Sequence, residues 1–314
     1  MVAPVTKVVR SEGFFHGRLL QSYERAKRVV EQSILGERQI LPLFGPSRIG
    51  KLEIAQALMA DFPNQKINGG ICKPLIRVAS PPEPNQRSLT LSIIRGMEGR
   101  VLSKSNTSDL YDQALRQLRI LGVRTIIFDE IQHLSEYGSV QKVRSAADFL
   151  KVLSDELDVS LILMGLPVAE RLLGLNEQLR GRCLSTELIY PYAWVSAADQ
   201  SGFAAGVELI AEAYRENGWS IHLDPELDLR RLYAACIGRF GILIDLFSHA
   251  ETNNTPKVID QKCLAKAYAN AVNEQYFSGN PFMPDTSISD NELNAAFVKV
   301  LNQAHLPMPK FGNR

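Results

Sequence analysis

Gly45, Gly50 and Lys51 stand at the spacing G-x-x-x-x-G-K within LFGPSRIGKLEIAQAL, residues 43–58. A turn of this kind between a strand and a helix can cradle a polyphosphate. Backbone N–H groups of Ser47 to Lys51 wrap the oxygens, the helix N-terminus adds positive potential, and Lys51 reaches the β and γ oxygens. The expected nucleotide-binding residues are therefore Gly45, Pro46, Ser47, Arg48, Ile49, Gly50, Lys51 and Leu52. A Ser or Thr normally follows the lysine and offers its hydroxyl to magnesium; here Leu52 follows it. Alone, the loop leaves open a glycine-rich helix start that binds nothing.

A second motif bears on that alternative. Asp129 and Glu130 close the β-branched and aromatic run RTIIFDE (124–130), 78 residues after Lys51. In a P-loop ATPase such a pair divides the work: Asp129 holds Mg2+ directly or through water, and Glu130 polarises the attacking water as general base. The expected cofactors are ATP and Mg2+. Phosphate affinity should survive Leu52, because backbone N–H groups and Lys51 supply most of it. The metal loses one oxygen ligand, and a displacement of about 1 Å can cost on the order of 100-fold in rate. Tight ATP binding with slow hydrolysis is the expectation. Arg180 and Arg182, in NEQLRGRC, stand where an oligomeric ATPase places an arginine against its neighbour's γ-phosphate; a solvent-facing helix end is the other reading. Arg239, in IGRFGILIDLF, could close over the nucleotide or be purely structural. His133 carries no catalytic expectation.

The elements that must position these residues follow from periodicity. Helical spacing runs from Arg18 to Leu35, from Lys51 to the stop at Phe62-Pro63, over Gln86–Met97, Ser108–Leu121 and Val140–Leu157. Buried strands are expected at Ile40–Phe44, Leu75–Ala79, 124–130 and in VSLILMG, with Pro42 awkward in the first of them. Strands alternating with helices imply an α/β sheet with right-handed crossovers. After Tyr190-Pro191 only helical periodicity is visible, in four segments between about Ala197 and Tyr276, broken by turns such as Glu216-Asn217-Gly218 and Asn253-Asn254-Thr255-Pro256. The expected organisation is an N-terminal helical segment (1–35), a P-loop core (36–192), a small all-helical domain (193–278) and a tail (279–314) that is mobile, docks a partner through a short helix, Asn291–Gln303, or packs that helix back on its own lid.

Composition sets the class. The chain has 314 residues, 45% hydrophobic and 22% charged, as in an ordinary soluble globular protein. No apolar run reaches the roughly 18 residues of a membrane span, and the first residues lack the apolar stretch of a secretory signal. Cys72, Cys183, Cys236 and Cys263 are scattered without a C-x-x-C pair, so a reducing cytoplasm is the expected setting and no zinc site or disulfide framework is. With a net charge of +1, any nucleic-acid binding must use a local basic face. Candidate positions are Arg95, Arg100 and Lys104 before the acidic pair, and Lys142 and Arg144 after it, although for each residue taken singly a solvated helix face is the default reading.

With these residues in place, the sequence resembles the AAA+ ATPases of the TnsC/TniB family, regulators of bacterial DNA transposition. The likeness rests on LPLFGPSRIGK, PLIRVASPPEPNQRSL, IIFDEIQHLS and LILMGLPVAERLL…NEQLRGRC, and covers about residues 14 to 255. It implies a P-loop AAA+ core with a five-stranded parallel sheet flanked by helices, plus a helical lid. It also implies an ATP-bound ring or helical filament around double-stranded DNA that links a target-selection protein to transposase subunits, with no membrane partner. On the family pattern Arg182 matches the trans-acting arginine, although its setting here is Gly181-Arg182-Cys183. Arg239 is the nearest match to the lid arginine. The position that usually orients water from a strand end is apolar here, in LMGLP. Two alternatives remain: a nucleotide-locked adaptor with little or no hydrolysis, and a helicase-loader-like AAA+ protein.

Overall fold

The structure is a computed structural model that describes residues 5, 17–67, 69–100, 106–136, 139–252, 256–271, 276 and 279–310. Among these residues nine strands occur: β1 (Ile40–Phe44), β2 (Gln65–Ile67), β3 (Gly70–Cys72), β4 (Leu75–Ala79), β5 (Thr125–Asp129), β6 (Ser160–Gly165), β7 (Glu187–Leu188), β8 (Ser220–His222) and β9 (Val258–Asp260). The chain divides into two compact units: residues 21–45 with 54–189, and residues 1–20 with 46–53 and 190–314. The division differs from the linear partition expected from sequence. The phosphate-loop segment 46–53 belongs with the C-terminal residues rather than with the rest of the expected core.

The first unit holds a five-stranded sheet in the order β4-β5-β6-β1-β7, with every pairing parallel. Its three central strands, β5, β6 and β1, are buried throughout because both faces are covered. Ile76, Val78, Ile126, Phe128, Leu161 and Leu163 join Leu89, Ile93, Leu110, Leu118, Val143 and Leu150 of the helices Gln86–Gly96, Thr107–Ile120 and Val140–Leu157 in one core cluster. Those three helices begin at Asn85, Asn106 and Ser139, whose side chains accept from the third backbone N–H of each helix. Pro42 is tolerated because of where its missing donor falls. Ile40 and Phe44 accept from Leu184 and Ile189, so the even positions of β1 face β7. The β7 ladder begins only at Leu43, leaving no donor required from residue 42. The short hairpin β2–β3 and the two-residue β7 carry no readable alternation and were not expected.

The second unit includes the helices Ala197–Glu216, Leu227–Cys236, Phe240–Thr252 and Gln261–Ala271, the first three of which meet at an aromatic cluster of Tyr192, Trp194, Phe203, Tyr233 and Phe240. The expectation of an all-helical domain is corrected: β8 and β9 pair in parallel as a two-stranded ribbon. Three residues apiece are too few for a period-two pattern to show. The turn signal at 253–255 lies outside the described residues. For the tail, the reading in which its helix packs back within its own unit is the one seen. The helix Asp290–Gln303 starts with a reciprocal Ser289/Glu292 cap and buries Leu293, Ala296, Phe297, Val300 and Leu301. Asp290 accepts from the Trp194 indole N–H and the Arg230 guanidinium, which fastens this helix within the unit. Among the described residues no single helix is long and apolar enough to cross a membrane; one bent pair, Leu227–Cys236 with Phe240–Thr252, meets the criterion only when joined, and its apolar side chains are mostly buried.

Candidate functional site

The phosphate loop is shaped by its own unit. Arg48 adopts a left-handed backbone (φ 62°) and Gly50 another (φ 114°), which turn the chain sharply before the helix Lys51–Asp61 begins. Gly50 also needs its missing Cβ, since one would sit 2.8 Å from Leu19. The Arg48 carbonyl accepts from the Gly241 N–H at 3.0 Å, and the Arg48 guanidinium pairs with Asp245. A Cβ on Gly241 would lie 2.5 Å from that same carbonyl, so the helix Phe240–Thr252 can meet the loop only through glycine. The N–H groups of Ser47, Arg48 and Gly50 form no hydrogen bond among the described residues. These are the donors a polyphosphate would take up. Lys51 is buried, and its ammonium donates to the Pro46 carbonyl at 2.7 Å, across the turn. Gly45 belongs to the strand instead: its N–H is held by the Gly165 carbonyl. Leu52 is 42% exposed and presents only carbon.

Arg239 lies two residues before Gly241 and is buried, donating to the Cys236 carbonyl and the Tyr276 hydroxyl while its guanidinium stacks on the Tyr276 ring. These contacts give it a role inside the lid. They do not require a nucleotide.

In the other unit the acidic pair ends β5. Asp129 is buried, and Oδ1 accepts from the Glu130 N–H at 2.9 Å. Oδ2 accepts from Arg77 Nε at 3.1 Å and Nη2 at 2.6 Å. Arg77 sits on the neighbouring strand β4, opposite Ile127. Glu130 is exposed and held at a left-handed φ of 54°, a backbone state that costs on the order of 1–2 kcal/mol outside glycine. Its carboxylate accepts from the Gln132 amide, whose oxygen in turn accepts from the Leu166 N–H at 3.0 Å. A Cβ on Gly165 would lie 2.5 Å from that amide oxygen. The strand end that looked wholly apolar thus does receive a polar group, delivered from Gln132. Sequence reasoning missed this residue, as it missed Arg77. The only signal for Gln132 was its place directly after the acids; its partner is a backbone N–H 34 residues on.

These contacts bear on the expected magnesium ion. Both Asp129 oxygens accept hydrogen bonds, and Leu52 has no oxygen to add. Asp129 is the carboxylate that would hold the ion, with water taking the place of the hydroxyl that residue 52 lacks.

The remaining candidates lie apart from this chemistry. Arg182 is 39% exposed and pairs with Asp155 at 2.5 Å, which also pairs with Arg38 at 3.0 Å. Arg180 is exposed. Arg95, Arg100, Lys142 and Arg144 are exposed, as DNA-binding residues must be, but nothing in their placement selects DNA over solvent. Lys104 lies outside the described residues. His133 faces Glu136 at 3.7 Å. Burial pushes the pKa of the Cys183 and Cys236 thiols up to about 12, and none of the four cysteines forms a disulfide.

A family model described as "Bacterial TniB protein" matches residues 16–189. No curated protein matches the sequence. Among solved structures the chain is similar to the ORC2 protein of Aeropyrum pernix in ADPNP–ADP complexes, at 14% identity over 82% of this chain and 68% of that one, with a TM-score of 0.59. It is similar to the ORC1 protein of Aeropyrum pernix in complex with DNA, at 19% identity over 82% and 65%, TM-score 0.58. It is similar to Cdc6p of Pyrobaculum aerophilum, at 11% identity over 95% and 83%, TM-score 0.60. At these identities the likeness shows the fold alone, and that fold is the P-loop AAA+ architecture.

Proposed function

The chain belongs to the bacterial TniB family, and from that premise we propose that it is an ATP-dependent regulator of DNA transposition. In this reading it binds ATP through residues 46–51, assembles with further copies on double-stranded target DNA as a ring or filament, and links a target-selection protein to transposase subunits. The single observation that carries the nucleotide part is the loop itself. Three unpaired N–H groups and Lys51 are held in a tight turn by Leu19 on one side and Gly241 on the other. The DNA part draws support from the family and from a neighbour solved in complex with DNA.

Each residue has a stated task. The loop N–H groups and Lys51 bind phosphate oxygens. Glu130 orients the attacking water and takes its proton, and Gln132 fixes the Glu130 carboxylate. Arg182 leaves Asp155 to meet the γ-phosphate bound by a neighbouring copy. Arg100, Lys104, Lys142 and Arg144 are the proposed DNA-binding residues. Turnover is slow, because Leu52 takes one oxygen ligand from the metal.

That last point favours one alternative, a nucleotide-locked adaptor that binds ATP without meaningful hydrolysis. A steady-state ATPase assay against Glu130→Gln separates the two: turnover well above that variant supports the regulator with slow hydrolysis, and equal rates support the adaptor. Pull-down with transposase subunits tests the transposition role, and retention only in ATP is the expected result.

A further inference from the structure

Within the second unit, the helix Ala197–Glu216 turns the small side chains Ala204, Ala205 and Ala211 toward β8 and the helix Leu227–Cys236. Because only methyl groups stand at these three positions, a groove of about 400 Å3 remains, walled on its other side by Ile221, Leu229 and Leu232. Leu209, one helical turn beyond Ala205, and Leu227, beside Asp228, are 47% and 53% exposed, so apolar surface continues outside the groove. No aromatic side chain lines it among the described residues, unlike the grooves that take proline-rich segments.

The groove is also acidic. Glu208, Asp224 and Asp228 line it, and Glu212 and Glu226 are exposed close by in sequence. The arginines of the same helices are already committed: Arg215 pairs with Glu208 at 2.6 Å and Arg230 with Asp290. Asp228 is only 5% exposed, and its Oδ2 accepts from the Asp224 N–H at 2.7 Å. Its Oδ1 forms no hydrogen bond and faces Arg231 Nη1 at 3.6 Å. Glu212, Asp224 and Glu226 have no basic partner among the described residues. Such a surface repels a phosphate backbone; its complement is carbon in the middle and positive charge at the edges.

We propose that this groove docks a basic amphipathic helix of a partner protein. Its apolar side chains enter between the two helices, and its lysines or arginines reach Glu212, Asp224 and Glu226 while their stems lie on Leu209 and Leu227. The inference is independent of the nucleotide and DNA readings above.

The test is fluorescence anisotropy of the full chain with a dye-labelled synthetic helix of leucine and lysine in amphipathic order, beside its leucine–glutamate counterpart. The leucine–lysine helix should bind saturably and the counterpart should not. Ala205 is exposed, so Ala205→Trp should keep the wild-type melting temperature while its ring fills the groove, weakening binding by about tenfold. The double variant Glu212→Lys with Glu226→Lys should weaken it by about tenfold at low salt and by less at high salt. No saturable binding by the wild type overturns the proposal. So does equal binding by Ala205→Trp, the mark of adventitious charge attraction, or equal binding of the leucine–glutamate helix, the mark of unspecific apolar contact. Should Ala205→Trp fail to fold, the double variant decides: affinity unchanged at low salt overturns the proposal as well.

Discussion

At Leu52 the chain departs from a hydrolytic P-loop by a single hydroxyl, and the departure is correctable. Because the side chain is half exposed, Leu52→Thr should fold normally and offer an oxygen next to Lys51. We expect turnover to rise by about tenfold, within the on-the-order-of-100-fold cost of a misplaced metal; an unchanged rate would move the limitation elsewhere. Gln132 makes the opposite prediction. Gln132→Ala leaves the Leu166 N–H without its acceptor and releases the Glu130 carboxylate. Stability should fall by about 1–3 kcal/mol, the cost of an unsatisfied buried group. In single-turnover assays hydrolysis should slow while nucleotide affinity stays put, whereas loss of affinity would show that Gln132 supports the loop rather than Glu130. These two residues mark the limits of reading chemistry from sequence. Leu52 was legible because a motif states what should stand there. Arg77 and Gln132 were not, since each acts through a partner 52 or 34 positions away that only the sheet brings near.

Among the elements, the helix Phe240–Thr252 meets the loop through Gly241 and Asp245. Gly241→Ala puts a methyl 2.5 Å from the Arg48 carbonyl, so either the helix or the turn must shift. Overpacking of this kind costs about 1–3 kcal/mol. Isothermal titration should find nucleotide affinity reduced by a similar amount, and unaltered affinity would mean that Gly241 does not shape the loop. The helix Asp290–Gln303 makes a separate prediction. Hydrogen bonds from Trp194, then from Arg230, hold the Asp290 carboxyl below its usual 3.8. A depressed acid adds stability above its unfolded value and loses it as pH falls through the lower folded value. Docking of this helix should therefore be intact at neutral pH and weaken only in acid, below about pH 4. Trp194 fluorescence should report the change, and it should already be present at neutral pH in Asp290→Ala. Long helices and the central strands were legible to within a residue or two, because a 3.6-residue period or an unbroken apolar run persists over them. The strands β2, β3, β7, β8 and β9 were not, because two or three residues are held by tertiary packing rather than by pattern. The tail helix was visible as an amphipathic stretch, but sequence could not say what covered its apolar side.

For the whole molecule, a net charge of +1 makes global attraction to DNA weak, so the proposed binding would have to use a local basic face, repeated where copies assemble. Each phosphate neutralised contributes about 0.9 to the slope of log affinity against log salt on duplex DNA. Lys104→Ala and Lys142→Ala should each lower that slope by about one, uniformly across sequences. An unchanged slope clears the residue. The AAA+ architecture and the family were legible from four short stretches because phosphate chemistry constrains residue type and spacing together. The proposed DNA contacts have no such signature, because a lysine on a solvated helix looks the same with or without a phosphate beside it. The most direct measurement is fluorescence anisotropy of the full chain on a labelled duplex without nucleotide, with ATP, and with a non-hydrolysable analogue, followed by negative-stain imaging. The account predicts binding only with ATP or the analogue, together with rings or filaments on the DNA. Equal binding without nucleotide, or no binding under any condition, would contradict it.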